Sequence, residues 1–182
     1  MKESKDVRDA VLARAAEETF FSRRRLVYLA LLVALSAVGA TLKIPSLTGT
    51  PALDSLPGYL AALLFGAREG GLVIALGHLL TALTAGFPLT IPIHLLIALG
   101  MAGCAAFLAW TGKKNLWLAG GLTILLNGVV FPAAFIPLPG FGSGFFAAML
   151  VPLVVASTLN ILLALVLYLA LKRGFRRYAG SR

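Results

Sequence analysis

Few side chains in the middle of this chain have the chemistry to bind or react. Two histidines, His78 and His94, and one aspartate, Asp54, stand in otherwise apolar stretches. With them are Lys43, the amides Asn127 and Asn160, and the hydroxyls Thr81, Thr84, Thr90 and Thr158. Histidine and aspartate are metal-ligand types, but 16 residues across a turn between the histidines is not a ligand spacing. No Gly-x-x-x-x-Gly-Lys-Ser/Thr run is present, so the chain carries no phosphate-binding loop for hydrolysing ATP. A single intramembrane carboxylate is too little for a proton relay of the usual kind. What these groups can do is hydrogen-bond a polar solute. The expectation is a non-enzyme with no catalytic residue, no metal and no cofactor.

The elements that must position them follow from the apolar runs. About 20 helical residues cross a hydrocarbon core. Six such spans are expected: 26–44, ended by Pro45; 52–65; 71–85; 91–110; 116–136, before the Pro137-Leu138-Pro139-Gly140 turn; and 145–171. Pro132 and Pro152 predict kinks or frayed ends in the last two. The expected fold class is an all-α integral membrane bundle of six helices. Residues 1–25 form a cytoplasmic amphipathic helix or tail before the membrane domain of 26–171, and 172–182 form a basic cytoplasmic tail.

Charge supports this and sets an orientation. The chain is 59% hydrophobic and 13% charged, against about 25% charged in soluble domains. Of its 23 charged residues, 12 fall in positions 1–25 and 5 in 172–182, leaving 6 for the 146 between, too few for the surface of a soluble fold. Six spans place Arg23–Arg25, Arg68, Lys113, Lys114, Lys172 and Arg173 on one side and Lys43 alone on the other. The positive-inside rule then makes both termini cytoplasmic. The net charge of +9 is accounted for by these flanks and the lipid headgroups they meet, rather than by nucleic acid. The mixed charges of 1–25 are unlike a cleavable signal peptide.

In that frame Asp54, His78, Thr81, Thr84, His94 and Asn127 all lie near the midplane or in the outer half. His78 and Thr81 share a helix face at i and i+3. Tyr59 and Phe87 supply flat apolar surfaces nearby, and Phe141 stands in an outer loop. The expectation is one pocket open to the outside for a neutral or weakly charged polar molecule. Plainer roles stay open: Asp54 as a helix cap, Thr81 and Thr84 bonded to their own helix, His78 and Asn127 as links between helices.

Two resemblances bear on this. Ser143 in Phe141-Gly142-Ser143-Gly144 resembles the serine of rhomboid-type intramembrane proteases, but there the serine precedes its histidine and here both histidines come first. The closer likeness is carried by Ala52-Leu-Asp54-Ser55-Leu-Pro57-Gly58-Tyr59, Gly77-His78-Leu-Leu-Thr81-Ala82 and Gly86-Phe87-Pro88-Leu89-Thr90-Ile-Pro92-Ile-His94-Leu. This pattern resembles the substrate-binding S components of energy-coupling factor (ECF) transporters, most of all the α-ribazole transporters, which salvage a precursor of the lower ligand of cobalamin.

The resemblance implies a subunit of the bacterial cell membrane that captures a vitamin precursor outside. It then joins a membrane coupling subunit carrying two cytoplasmic ATPases. It also implies a coupling contact on an Ala-x-x-x-Ala motif in the first span, matched by Ala30 and Ala34 with Ala37 a turn further, where small residues let helices approach closely. For α-ribazole the expected contacts are Asp54, Asn127 and Thr81 to ribose hydroxyls, His78 or His94 to the ring nitrogen, and Phe87 and Tyr59 to the base. Another vitamin or nucleoside-like ligand, or a self-sufficient carrier or intramembrane enzyme using the two histidines, stands as the alternative.

Overall fold

The computed structural model describes residues 23–179, apart from the side chains of 24 and 175–179. The amphipathic segment expected over 1–25 falls almost wholly outside the described residues, as does the end of the basic tail. The chain divides into two compact units, 1–31 and 32–182; the described part of the first is the opening of one helix, and the second holds the rest.

Helices account for almost all regular structure: α1 (Arg23–Gly39), α2 (Leu56–Leu64), α3 (Ala67–Thr84), α4 (Ile91–Thr111), α5 (Leu116–Ala133) and α6 (Gly142–Ala179). Among the described residues β pairing is limited to the isolated bridge Lys43–Ala52. Ile91–Thr111, Leu116–Ala133 and Gly142–Gly174 are long and apolar enough to cross a membrane. Their outward faces are apolar, with Leu99, Leu118 and Val151 exposed, as expected of surfaces solvated by lipid. Trp110 and Trp117 are exposed on either side of Lys113-Lys114, the arrangement of an interfacial aromatic belt.

Several boundaries differ from the sequence expectation. The first helix stops at Gly39 rather than Ile44. A Cβ at Gly39 would collide with the Leu53 carbonyl, so the chain turns there against the returning strand of a hairpin. That hairpin is closed by Ile44 N–H to Pro51 O (2.8 Å) and Leu53 N–H to Leu42 O (3.2 Å). The second segment is therefore not a helix from Ala52. Only nine residues are helical, starting beyond Ser55 with Pro57 in the first turn, where its fixed φ suits a helix start. At about 1.5 Å per residue, α2 is roughly 14 Å long and does not cross a bilayer alone.

The third helix begins at Ala67 rather than after Gly70. Its first turn holds Glu69, whose negative charge suits the amino end of a helix. Arg68 and Glu69 thus open α3 instead of separating two spans.

The fifth segment ends its helix at Ala133, not Ile136, and carries a π-helical turn over Leu126–Val130. Pro132 supplies the cause: it has no N–H for the Gly128 carbonyl, and its ring crowds that carbonyl. The ladder widens, with Phe131 N–H reaching Leu126 O. Pro152 is accommodated inside α6 without a break.

The hydrophobic core joins α2, the first half of α3, the second half of α4, the start of α5 and the middle of α6 through Tyr59, Ile74, Leu108, Ala119, Ile161 and Leu165. Close approach there depends on glycine. A Cβ at Gly58 would lie 2.7 Å from Ile74 Cα, and one at Gly70 would collide with Ala62.

Candidate functional site

Beyond that core the helices part around a cavity with about 840 Å³ of empty space, its open mouth included. Its walls come from the 40–55 hairpin, the second half of α3, the first half of α4, the end of α5 and the first half of α6.

One wall is polar. Asp54, Ser55 and His78 line it. Asp54 Oδ2 accepts from Thr81 Oγ1 (2.6 Å) and Oδ1 from Ser55 Oγ (2.9 Å), so the carboxylate is held between hairpin and α3. It does not cap α2, whose N-cap Ser55 makes no side-chain cap bond. His78 Nε2 lies 3.1 Å from His94 Nδ1, and Leu89 N–H donates to His94 Nε2 at 3.4 Å. The loop carrying Leu89 has positive φ at Gly86, Phe87 and Thr90. Positive φ is strained for the two non-glycine residues, and such strain gathers where surrounding structure holds a site in place.

A further polar group, from α5, lines the same cavity. Asn127 rides on the π turn of α5, and its Nδ2 donates to Ser157 Oγ at 2.8 Å. Single π turns re-aim side chains and are frequent at functional sites. Asn160, also on the wall, is fully committed: Oδ1 accepts from Leu56 N–H (2.6 Å), while Nδ2 donates to Ala52 O and Ala156 O (both 2.8 Å). It ties α6 to the hairpin and satisfies one of the free N–H groups at the start of α2.

The remaining wall is aromatic. Phe131, Phe135, Phe141, Phe145 and Phe146 line it. Successive rings meet at 5.3, 5.4 and 5.0 Å from Phe131 through Phe135 and Phe141 to Phe145, largely edge to face, the preferred aromatic geometry. Phe131 lies over Gly100, where any Cβ would strike its ring.

Of the residues singled out from sequence, Asp54, His78 and Asn127 line this one cavity. Thr81 and His94 are fully buried behind it, bonded to Asp54 and His78. Phe87 packs edge-on against His94 at 5.7 Å and does not reach the cavity. Thr84 is exposed and returns its hydroxyl to Thr81 O (2.9 Å), so α3 does not aim three polar groups at one point. Tyr59 is buried in the core, away from the cavity wall. Ala30, Ala34 and Ala37 are exposed on α1. Among the described residues no three His, Cys, Asp or Glu groups are placed to hold a metal ion.

Asn160 is among the scarce polar groups of the sequence but is not expected at the site, and of the aromatic wall the sequence reading points to Phe141 alone. The signal for the wall was present: Phe131/Phe135 and Phe141/Phe145 are each i, i+4 pairs flanking the Pro137–Gly140 turn.

The family model for the substrate-specific component of ECF transporters matches residues 24–172. The chain belongs to this family. No match to a curated protein or to a solved structure was found. The chain is therefore a membrane-embedded S component, a transport subunit that captures a small molecule and works with a coupling component and ATPases.

Proposed function

We propose that this S component binds α-ribazole in the cavity between the 40–55 hairpin and α6, from outside the cell. The observation that carries the reading is that a single cavity is lined both by aromatic rings and by a few polar groups. A flat dimethylbenzimidazole would lie against Phe131, Phe135 and Phe141. Ribose hydroxyls would donate to Asp54 and Asn127, and the ring nitrogen would meet His78. Thr81 and His94 hold these groups in place rather than touching the ligand.

In this reading the chain crosses the bilayer six times, with α2 and the hairpin together filling the second crossing. Both termini are cytoplasmic, a reading supported by the clustering of basic residues on one side. The exposed Ala30, Ala34 and Ala37 form the face of α1 that meets the coupling subunit, which carries two ATPases. After capture, the loaded subunit delivers its ligand through that partner.

Calorimetric titration of the purified protein in nanodiscs against α-ribazole, riboflavin, thiamine and a queuosine-type base tests the ligand. Saturable binding of α-ribazole alone is expected. Tighter binding of another compound would keep the S-component role and replace the ligand.

A further inference from the structure

The two histidines are more than a pair of polar groups. His94 is fully buried, with both ring nitrogens engaged. Its Nε2 faces the Leu89 N–H, so a proton on Nε2 would set donor against donor at a fully buried ring. Nε2 is therefore the acceptor, and in the neutral ring the proton sits on Nδ1. That N–H points at His78 Nε2, 3.1 Å away, which must accept it. The neutral His78 ring then carries its own proton on Nδ1. Among the described residues His78 Nδ1 has no protein partner, and it is not among the buried unpartnered atoms, although the ring is 5% exposed overall. His78 lines the cavity, and this is its one ring nitrogen without a protein partner among the described residues.

We infer that the chain Leu89 N–H, His94, His78 fixes His78 as a hydrogen-bond donor into the cavity, so that the site selects a ligand with an unprotonated acceptor at that position. The neighbouring groups have the opposite character. Both Asp54 oxygens are acceptors, and Asn127 Oδ1, with Nδ2 turned to Ser157, is likewise without a protein partner among the described residues. The cavity thus reads one acceptor at His78 and hydroxyl donors at Asp54 and Asn127. His94 is a positioning residue: it touches no ligand and sets the tautomer of the ring that does. The ligand part of this inference rests on the proposed function; the tautomer part does not.

The test has two arms. The chain holds only two histidines, so ¹⁵N-histidine labelling gives four ring nitrogens, assigned with His94→Gln. The unliganded protein in nanodiscs should show both rings neutral and protonated on Nδ1. Protonation of His78 on Nε2 would overturn the inference whatever the ligand proves to be. In the second arm, the benzimidazole riboside is compared with its indole counterpart, where C–H replaces the acceptor nitrogen. The indole compound should bind roughly 10- to 100-fold more weakly, the effect of facing a buried donor with no acceptor. His94→Phe should erase that discrimination, and His94→Gln, whose amide can still donate to His78, should restore it. Equal binding of both ribosides to the unmodified protein would overturn the inference while leaving the proposed function intact. If neither riboside binds, the proposed ligand fails and the nitrogen spectrum still decides the donor.

Discussion

The same helices are packed in two ways along their length. Where the first half of α3, the second half of α4 and the middle of α6 meet α2, small residues bring backbones together: Gly58 and Gly70 leave no space for a Cβ, and Ala105, Ala119 and Ala164 are fully or almost fully buried. Toward the other ends of these helices the residues are large and the space between them is unfilled. There the rings of Phe131, Phe135, Phe141 and Phe145 meet one another in succession along the cavity wall. Dense packing in one half is what allows the other to be hollow. A cavity lined by aromatic and polar side chains forgoes burial and dispersion, and a solid region elsewhere must supply the stability.

The sharpest way to break this division is to disturb the solid half. Gly58→Val would drive a branched side chain into the α3 backbone at Ile74, costing on the order of 3 kcal/mol or more. The melting temperature in detergent should fall by several degrees, with much of the protein lost as aggregate.

Changes in the hollow half should instead fall on ligand affinity. Asp54→Ala removes an acceptor and leaves the Thr81 hydroxyl without its cross-segment partner, so binding of α-ribazole should weaken at least about 100-fold in calorimetry. Asn127→Ala, on a half-buried group, should weaken it roughly tenfold with little change in melting temperature.

The smallest effect sharpens the comparison from the other side. The Tyr59 hydroxyl is buried in the core with no partner among the described residues, and an unsatisfied buried hydroxyl costs about 1–3 kcal/mol. Tyr59→Phe should therefore leave affinity unchanged and raise the melting temperature slightly. A loss of ligand affinity in that variant would return Tyr59 to the site.

The sequence made some of this legible and hid the rest for identifiable reasons. A shortage of charge between residues 26 and 171 has only one solvent that suits it, so the membrane setting could be read directly. Asp54, His78 and Asn127 stood out because polar groups are rare in such stretches and are retained where they have partners. Rarity did not say which partner. Thr81 was open to a ligand or a carbonyl, and it binds Asp54 27 residues away as well as Gly77 O on its own helix. Thr84 lies a turn further on the same helix and turns outward. The hairpin was missed because its apolar residues look like the start of a span, and a tertiary bond from Asn160, 104 residues beyond Leu56, helps fix where α2 begins. Beyond Phe141 the aromatic wall stayed hidden because phenylalanine in an apolar segment suits a lipid-facing surface as well as a cavity wall.

The claim that the hollow half receives the ligand is tested most directly at Leu153, which lines the cavity from α6 without a polar role. Cys104 is buried in the core and is the chain's one cysteine, so Leu153→Cys in a Cys104→Ala background reports on the cavity alone. Saturating α-ribazole should slow its reaction with a small thiol reagent about tenfold or more. An unchanged rate in a variant that still binds α-ribazole with full affinity would place the ligand elsewhere and contradict the account.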